Sequence, residues 1–176
     1  MDNLLPYVRA VLSTSAGRWL ALTESLPIEL LTRPPADKEW SALECLQHLI
    51  DTERLAFTVR LQAFLAGQDF AAFDPDTQGA KPTASRRPAD LAAEFARYRT
   101  ASLALLAQVT PPDLSKTARH SELGLVTLGE MLHEWAAHDL MHAVQAKQAL
   151  MQPFITGSGP WRPYFVKHDV AAPARA

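Results

Sequence analysis

The chain has 176 residues, 48% hydrophobic and 20% charged, with a formal net charge of −2. That is enough for one domain with a sizeable core, and it lacks the basic surplus that nucleic acid or an anionic membrane attracts. One cysteine, Cys45, rules out an intrachain disulfide and fits a reducing compartment; there is no apolar run of about 18 residues to span a membrane, and Met1-Asp2-Asn3 lacks the basic region of a secretory leader, so a cytoplasmic location is expected.

The first helix is expected from about Asp2 to Ser25. Leu4, Val8, Val11, Leu12, Trp19, Leu22 and Leu26 recur at helical steps, and Pro27 closes it. Gly17 weakens this helix by about 1 kcal/mol relative to alanine, which a packed face overrides. After the loop Pro34-Pro35-Ala36-Asp37, Ser41 and Glu44 form a capping-box signature. The second helix they open should run to Ala66 and stop at Gly67. Leu43, Leu46, Leu49, Ile50, Leu55 and Phe57 surround it on several faces, which predicts a largely buried helix. From Gln68 to Arg87 the periodicity dissolves into a long surface connection that can flank a pocket.

Pro88 opens the third helix. Leu91, Phe95, Tyr98, Ser102, Leu105 and Val109 mark its buried stripe, and Pro111-Pro112 ends it. His120 to Val126 reads as a short turn or extended link, with no clear strand pattern. Thr127 and Glu130 form a second capping box, which starts a fourth helix ending near Met151, before Pro153. The segment Gly159-Pro160-Trp161-Arg162-Pro163-Tyr164-Phe165 is aromatic enough to be expected to pack on the bundle. Residues 1–170 are thus read as a single all-α domain, a four-helix bundle, with 171–176 frayed.

The fourth helix carries His138 and His142. At i, i+4 their Cβ atoms lie about 5–6 Å apart on one face, where two imidazoles can chelate one divalent metal. The same spacing also suits two hydrogen-bonded residues on a half-buried face. A third histidine, His48, sits two turns inside the apolar second helix, where an imidazole is costly unless partnered. Placing His48 beside the pair depends on the fold, because sequence separation carries no distance information. Glu134 continues the stripe as an i, i+4, i+8 series and is a candidate general base; Gln145 lies on the same side. Glu44 and Asp51 flank His48 by about a turn. These acids can orient imidazole N–H groups or serve only as solvated helix charges.

Two near-matches are set aside. His133-Glu134-Trp135-Ala136-Ala137-His138 resembles a metalloprotease pattern with one residue too many. The i, i+5 spacing turns the second ring by about 140°, so His133 is left off the site. Glu130-Met131-Leu132-His133 is a lone E-x-x-H, whereas a di-iron bundle needs two plus further glutamates. His120 and His168 read as surface or loop residues, with His120 optionally at a pocket rim. Cys45 lacks an activating partner and reads as inert.

The run Trp40-Ser41-x-x-Glu44-x-x-x-His48-Leu49-x-x-x-Glu53 resembles the second helix of DinB-like proteins. Leu123-Gly124-x-Val126-Thr127-Leu128, followed by Trp135-x-x-His138-Asp139-Leu140-x-His142-x-x-Gln145, resembles that family's final helix, and Gly159-Pro160-Trp161 the tail of one branch. The resemblance implies a DinB/YfiT-like four-helix bundle with an unusual crossover. It also implies a three-histidine metal site at His48, His138 and His142, zinc or nickel as the metal, and a homodimer. Family activities include thiol-dependent S-transferases and isomerases.

Two classes of function follow. One is a metal-dependent enzyme acting on a small molecule: a transferase or isomerase using a low-molecular-weight thiol, or a hydrolase with Glu134 as general base. The other is a non-catalytic metal-binding or stress-associated dimeric interaction module. An open metal position facing a cavity favours the enzyme.

Overall fold

A computed structural model describes residues 3–80 and 86–170. Residues 171–176, expected to fray, and Asp2, expected to start the first helix, lie outside the described residues. Four long helices form the body: α1 (Leu4–Ser25), α2, α3 (Pro88–Leu106) and α4 (Leu128–Gly157). The second, α2, is continuous from Ala42–Thr52 through a π-helical turn, Glu53–Phe57, into Thr58–Ala66. Gly67, at φ 67°, ends it in the left-handed conformation that glycine adopts without strain. α1 packs on α3 and α4, and α2 packs on the same two. α1 and α2 are thus diagonal in the bundle, as are α3 and α4, whereas α2 and α3 are neighbours; the first and last of the three connections cross an end of it. No helix among the described residues is long and apolar enough to cross a membrane.

Both histidine-bearing helices begin at complete capping boxes. The Ser41 side chain accepts from Glu44 N, and Glu44 Oε2 accepts from Ser41 N at 2.8 Å; Thr127 and Glu130 repeat the pattern at α4. Such caps stabilise a helix start by about 1 kcal/mol and set where the helical phase begins.

The π turn is not foreshadowed by the apolar pattern. One extra residue rotates everything downstream by about 100°. Leu55, expected inside, is consequently 38% exposed, while Phe57, Leu61 and Phe64 are buried. The Thr58 hydroxyl donates to the Glu53 carbonyl at 2.7 Å and meets Ser102 Oγ of α3 at 2.8 Å.

The core is two apolar clusters. One gathers Leu5, Val8, Leu12, Phe57, Leu61, Leu106, Leu132 and Trp135; the other gathers Trp19, Leu43, Leu46, Ile50, Leu91, Phe95 and Leu150. A buried polar layer lies between them, charged on α2, α3 and α4 and supplied by Ser15 on α1. Arg99 Nε and Nη2 donate to both oxygens of Glu53 at 2.8 and 3.0 Å, and Nη2 donates to Asp139 Oδ1 at 2.6 Å. Arg99 Nη1 donates to Leu12 O and Ser15 Oγ, and Trp135 Nε1 donates to Glu53. This layer shifts the expected stripe of α3: Arg99 and Leu106 are buried, whereas Tyr98 and Leu105 are only half-buried.

Three further expectations change. Thr117–His120 (β1) and Gly124–Thr127 (β2) pair antiparallel, where the sequence shows no clear strand. Four-residue strands are too short for a two-residue period to stand out. α4 runs six residues past Met151 with Pro153 inside it. Proline there removes the hydrogen bond to the fourth residue back, but the turn is held on both sides: Ile155 is buried, and Gln152 Nε2 donates to the carbonyls of Gln148 and His168. The aromatic tail, Gly159–Phe165, is a 3₁₀ helix along α4, but its rings do not pack inward: Trp161 and Tyr164 are 63% and 82% exposed. It is tied down by polar contacts, Arg162 Nε to Asp169 and Val170 N to Gln152.

Removing Arg99 leaves two buried carboxylates facing each other. Arg99→Ala is expected to cost about 3–5 kcal/mol in urea unfolding, against under about 0.5 kcal/mol for Arg97→Ala on the exposed face of the same helix.

Candidate metal centre

His48 of α2 meets His138 and His142 of α4. His48 Nε2 lies 3.1 Å from His138 Nε2, which lies 3.2 Å from His142 Nε2. All three ligand atoms fall within 4.8 Å of one another. Three nitrogens at 2.0–2.1 Å from a tetrahedral zinc ion would be about 3.3 Å apart, close to the observed spacing.

The surroundings fix the rings. Trp40 stacks on His142 at 5.7 Å and lies 4.9 Å from His48, and Phe57 meets His138 edge-on at 5.2 Å. Phe57 itself stacks flat on Trp135. Gln145 Oε1 sits 2.8 Å from His142 Nδ1. The amide oxygen can only accept, so Nδ1 carries the proton and Nε2 points its lone pair at the centre. His138 Nε2 touches both neighbours, yet an sp² ring nitrogen has one in-plane site, a proton or a lone pair. It cannot donate to one neighbour and accept from the other. One cation shared by three lone pairs satisfies all three nitrogens, so the donor set fits a divalent ion. His138 Nδ1 is buried without a hydrogen-bond partner among the described residues, so packing against Phe57 holds this ring.

Burial keeps the imidazoles neutral. It pushes His48 down to about 4, with His142 adding to the effect. It pushes His138 down to about 3, helped by the two other histidines, Arg60 and Arg99. His142 is also lowered by burial, partly offset by Gln145 and Asp139. Neutral imidazole is the ligating form.

The flanking acids do other work. Glu44 is spent on its cap, and Asp51 accepts from Gln47 Nε2 at 3.3 Å and Ala80 N at 2.8 Å. Neither carboxylate is hydrogen-bonded to an imidazole among the described residues, because each is taken up by these other donors. Both line a cleft of about 350 Å³ beside His48. Glu134 lines the histidine pocket, a cavity of about 330 Å³, and accepts from Arg60 Nη1 at 3.2 and 3.3 Å. Arg60 is a site residue the sequence reading missed; its only signal was a charge within one turn of the phase shift in α2. Phe73 and Pro75, from the long connection, close the pocket. His133 is exposed and outside the centre. His120, expected at the surface, is only 6% exposed and belongs to a separate cavity. Cys45 is buried, and burial beside Glu44 pushes its thiol up to about 12, so it is inert.

Residues 12–146 match the sequence profile of the family described as the DinB superfamily. No curated protein matches the chain. Among solved structures, YfiT from Bacillus subtilis superposes with a TM-score of 0.73 at 18% identity, covering 85% of this chain and 87% of that one. It is described as a probable metal-dependent hydrolase with an unusual four-helix bundle topology. At that identity the likeness establishes the fold.

The folded chain takes protons at His48 and His138 only near pH 4 and 3, whereas the unfolded chain takes them near about 6.5. Below that value the unfolded state binds more protons, so stability falls with falling pH; above it these groups add no slope. Chelator-treated protein is expected to lose stability between about pH 6.5 and 4, and a variant with all three histidines changed to glutamine to lose most of that slope in the same urea titrations. Zinc titration provides the second check: His138→Ala should weaken uptake by at least about a hundredfold, while His133→Ala, on the exposed face, should leave it unchanged.

Proposed function

The chain belongs to the DinB superfamily, and on that premise we propose that it is a divalent-metal-dependent enzyme of hydrolase type, with His48, His138 and His142 as ligands and one position open to the pocket. The observation that carries this reading is the meeting of three neutral imidazole nitrogens at the wall of a cavity of about 330 Å³. When bound there, zinc or nickel supplies Lewis acidity and lowers the pKa of the small ligand in the open position, water or a thiol.

The chain's own groups divide the remaining work. Glu134 lines the same pocket, and its side chain is 53% exposed. It can take a proton from an incoming water and release it to solvent or to a leaving group. Arg60, paired with Glu134 and seated over the Phe57 ring at 5.8 Å, brings fixed positive charge to where negative charge develops on the substrate. Trp40, Phe57 and Phe73 form an apolar wall that strengthens both effects by excluding water. The description of YfiT as a probable metal-dependent hydrolase supports the same chemistry.

A thiol-dependent transferase is the second reading. It is favoured by the cleft of about 350 Å³ next to His48, which offers room for the body of a low-molecular-weight thiol outside the histidine pocket.

Cobalt substitution separates the readings. The protein is expected to take up about one Co²⁺ per chain, and His48→Ala or His142→Ala to abolish uptake. A visible spectrum that changes with pH and responds weakly to added thiol supports the hydrolase. A sulfur-to-cobalt charge-transfer band with thiol supports the transferase, and a spectrum indifferent to both means a closed shell and sinks the enzyme reading. Glu134→Gln should keep the cobalt spectrum while lowering kcat by about 10²–10⁴-fold on any substrate found.

A further inference from the structure

The metal centre leaves a second cavity unused. It has a volume of about 220 Å³, and its apolar walls are Phe70, Leu123, Val126 and Met131. Arg60 and Glu134 line both this cavity and the histidine pocket, so the ion pair is the partition between them. A line of ring contacts joins the two. Phe57 lies 5.2 Å from His138, Arg60 sits 5.8 Å from both Phe57 and Phe70, and Phe70 meets His120 edge-on at 5.6 Å.

The walls are fixed in place. Phe70 N donates to Arg119 O, Arg119 N to Asp69 Oδ1, and Ala72 N to Ser121 Oγ, which stitches the connection after α2 to the hairpin. His120 is oriented from behind: its Nδ1 accepts N–H groups from Glu122 at 3.1 Å and Leu123 at 3.3 Å. In the neutral ring the proton therefore sits on Nε2. That N–H has no protein hydrogen-bond partner among the described residues; the residue as a whole is 6% exposed, and Nε2 is open to water rather than sealed in. An acceptor entering the cavity exchanges this donor's water for a direct hydrogen bond, which fixes the orientation of whatever binds.

Charge narrows the ligand. Glu130 is committed to the cap at Thr127, and Glu134 to Arg60. The charges lining the cavity are thus paired, with only the Arg60 Nε–H left without a partner among the described residues, so an ionic group would be desolvated there with little compensation. Size narrows it further: a cavity of about 150 Å³ in another protein accepts benzene, so this one holds a ring plus a few more atoms.

We propose that this cavity is the substrate's specificity subsite, taking an uncharged apolar group of phenyl size joined to a neutral carbonyl whose oxygen accepts the His120 Nε2–H. The proposal rests on the metal-dependent reading for the reaction that follows, but binding in the cavity does not require the metal.

The test uses the full chain, methyl-labelled, titrated with phenylacetamide in zinc-loaded and chelator-treated form. Saturable shifts are expected at the Val126, Leu123 and Met131 methyls in both forms. Acetamide, which lacks the ring, and phenylacetate, which carries a charge, should each bind at least tenfold more weakly. Val126→Phe, which fills the cavity, should weaken phenylacetamide at least tenfold; Leu123→Arg, at the exposed rim, gives the same readout if the first variant does not fold. Unmoved methyls, equal affinity for acetamide or phenylacetate, or indifference to both variants would each overturn the subsite. Shifts confined to the histidine pocket of the zinc form would overturn it while leaving the metal centre intact, whereas failure to bind zinc with phenylacetamide binding preserved would overturn the metal reading alone.

Discussion

Arg99 is the constraint around which the bundle is arranged. Its guanidinium reaches Glu53 on α2, Asp139 on α4, and Leu12 and Ser15 on α1, from its own place on α3. Two carboxylates and one guanidinium are almost fully enclosed there. An apolar layer of the same shape would often be as stable or more so, since desolvating charges is expensive. What the ion network adds is directionality: a bidentate fork accepts one orientation of its carboxylate, whereas leucines accept many. Four helices are thereby held at one height and one rotation. The network is not closed, for Asp139 Oδ2 has no hydrogen-bond partner among the described residues.

That rotation reaches the histidines directly. Asp139 follows His138 in α4, so anchoring Asp139 inward sets the angle at which His138 leaves the helix. Glu53 opens the π turn, and Phe57 at its end stands between the network and the three histidines, flat on Trp135 and edge-on to His138. The pair of caps at Ser41 and Thr127 fixes the other ends of the two helical segments. His48 and the α4 pair are thus held by separate helices whose relative height is set by packing and the buried charges. The result is a set of lone pairs brought together at the cost of desolvating three imidazoles, an arrangement that a divalent ion relieves.

The cavities around the centre differ in kind. Beyond His48 the cleft carries Glu44, Asp51 and Asp76; across the Arg60–Glu134 pair the second cavity is apolar. The histidines thus have polar surroundings on one side and apolar ones on the other, with the Arg60–Glu134 pair between the histidine pocket and the apolar cavity. On the proposed enzymatic reading, binding energy from the apolar side would position a reacting group at the histidines.

Much of this was legible in the chain itself. The two capping boxes, the proline and glycine boundaries and the helical periods locate the four helices, because these are local effects of backbone geometry and hydrogen bonding. The i, i+4 spacing places His138 and His142 on one face for the same reason. The resemblance to DinB-like proteins implies that His48 joins that pair, which spacing alone does not. What the tertiary structure alone decided is everything that depends on contacts across helices. Nothing local in the sequence sets Arg99 apart; only the fold shows Glu53 and Asp139 surrounding it. The π turn in α2 depends on Thr58 finding Ser102 of α3, and Pro153 is tolerated because the tail returns to Gln152. The exposed tail aromatics, the pairing of Arg60 with Glu134 and the enclosure of His120 have no local signature, since composition and periodicity report which side chains share a helix face and not what lies opposite it.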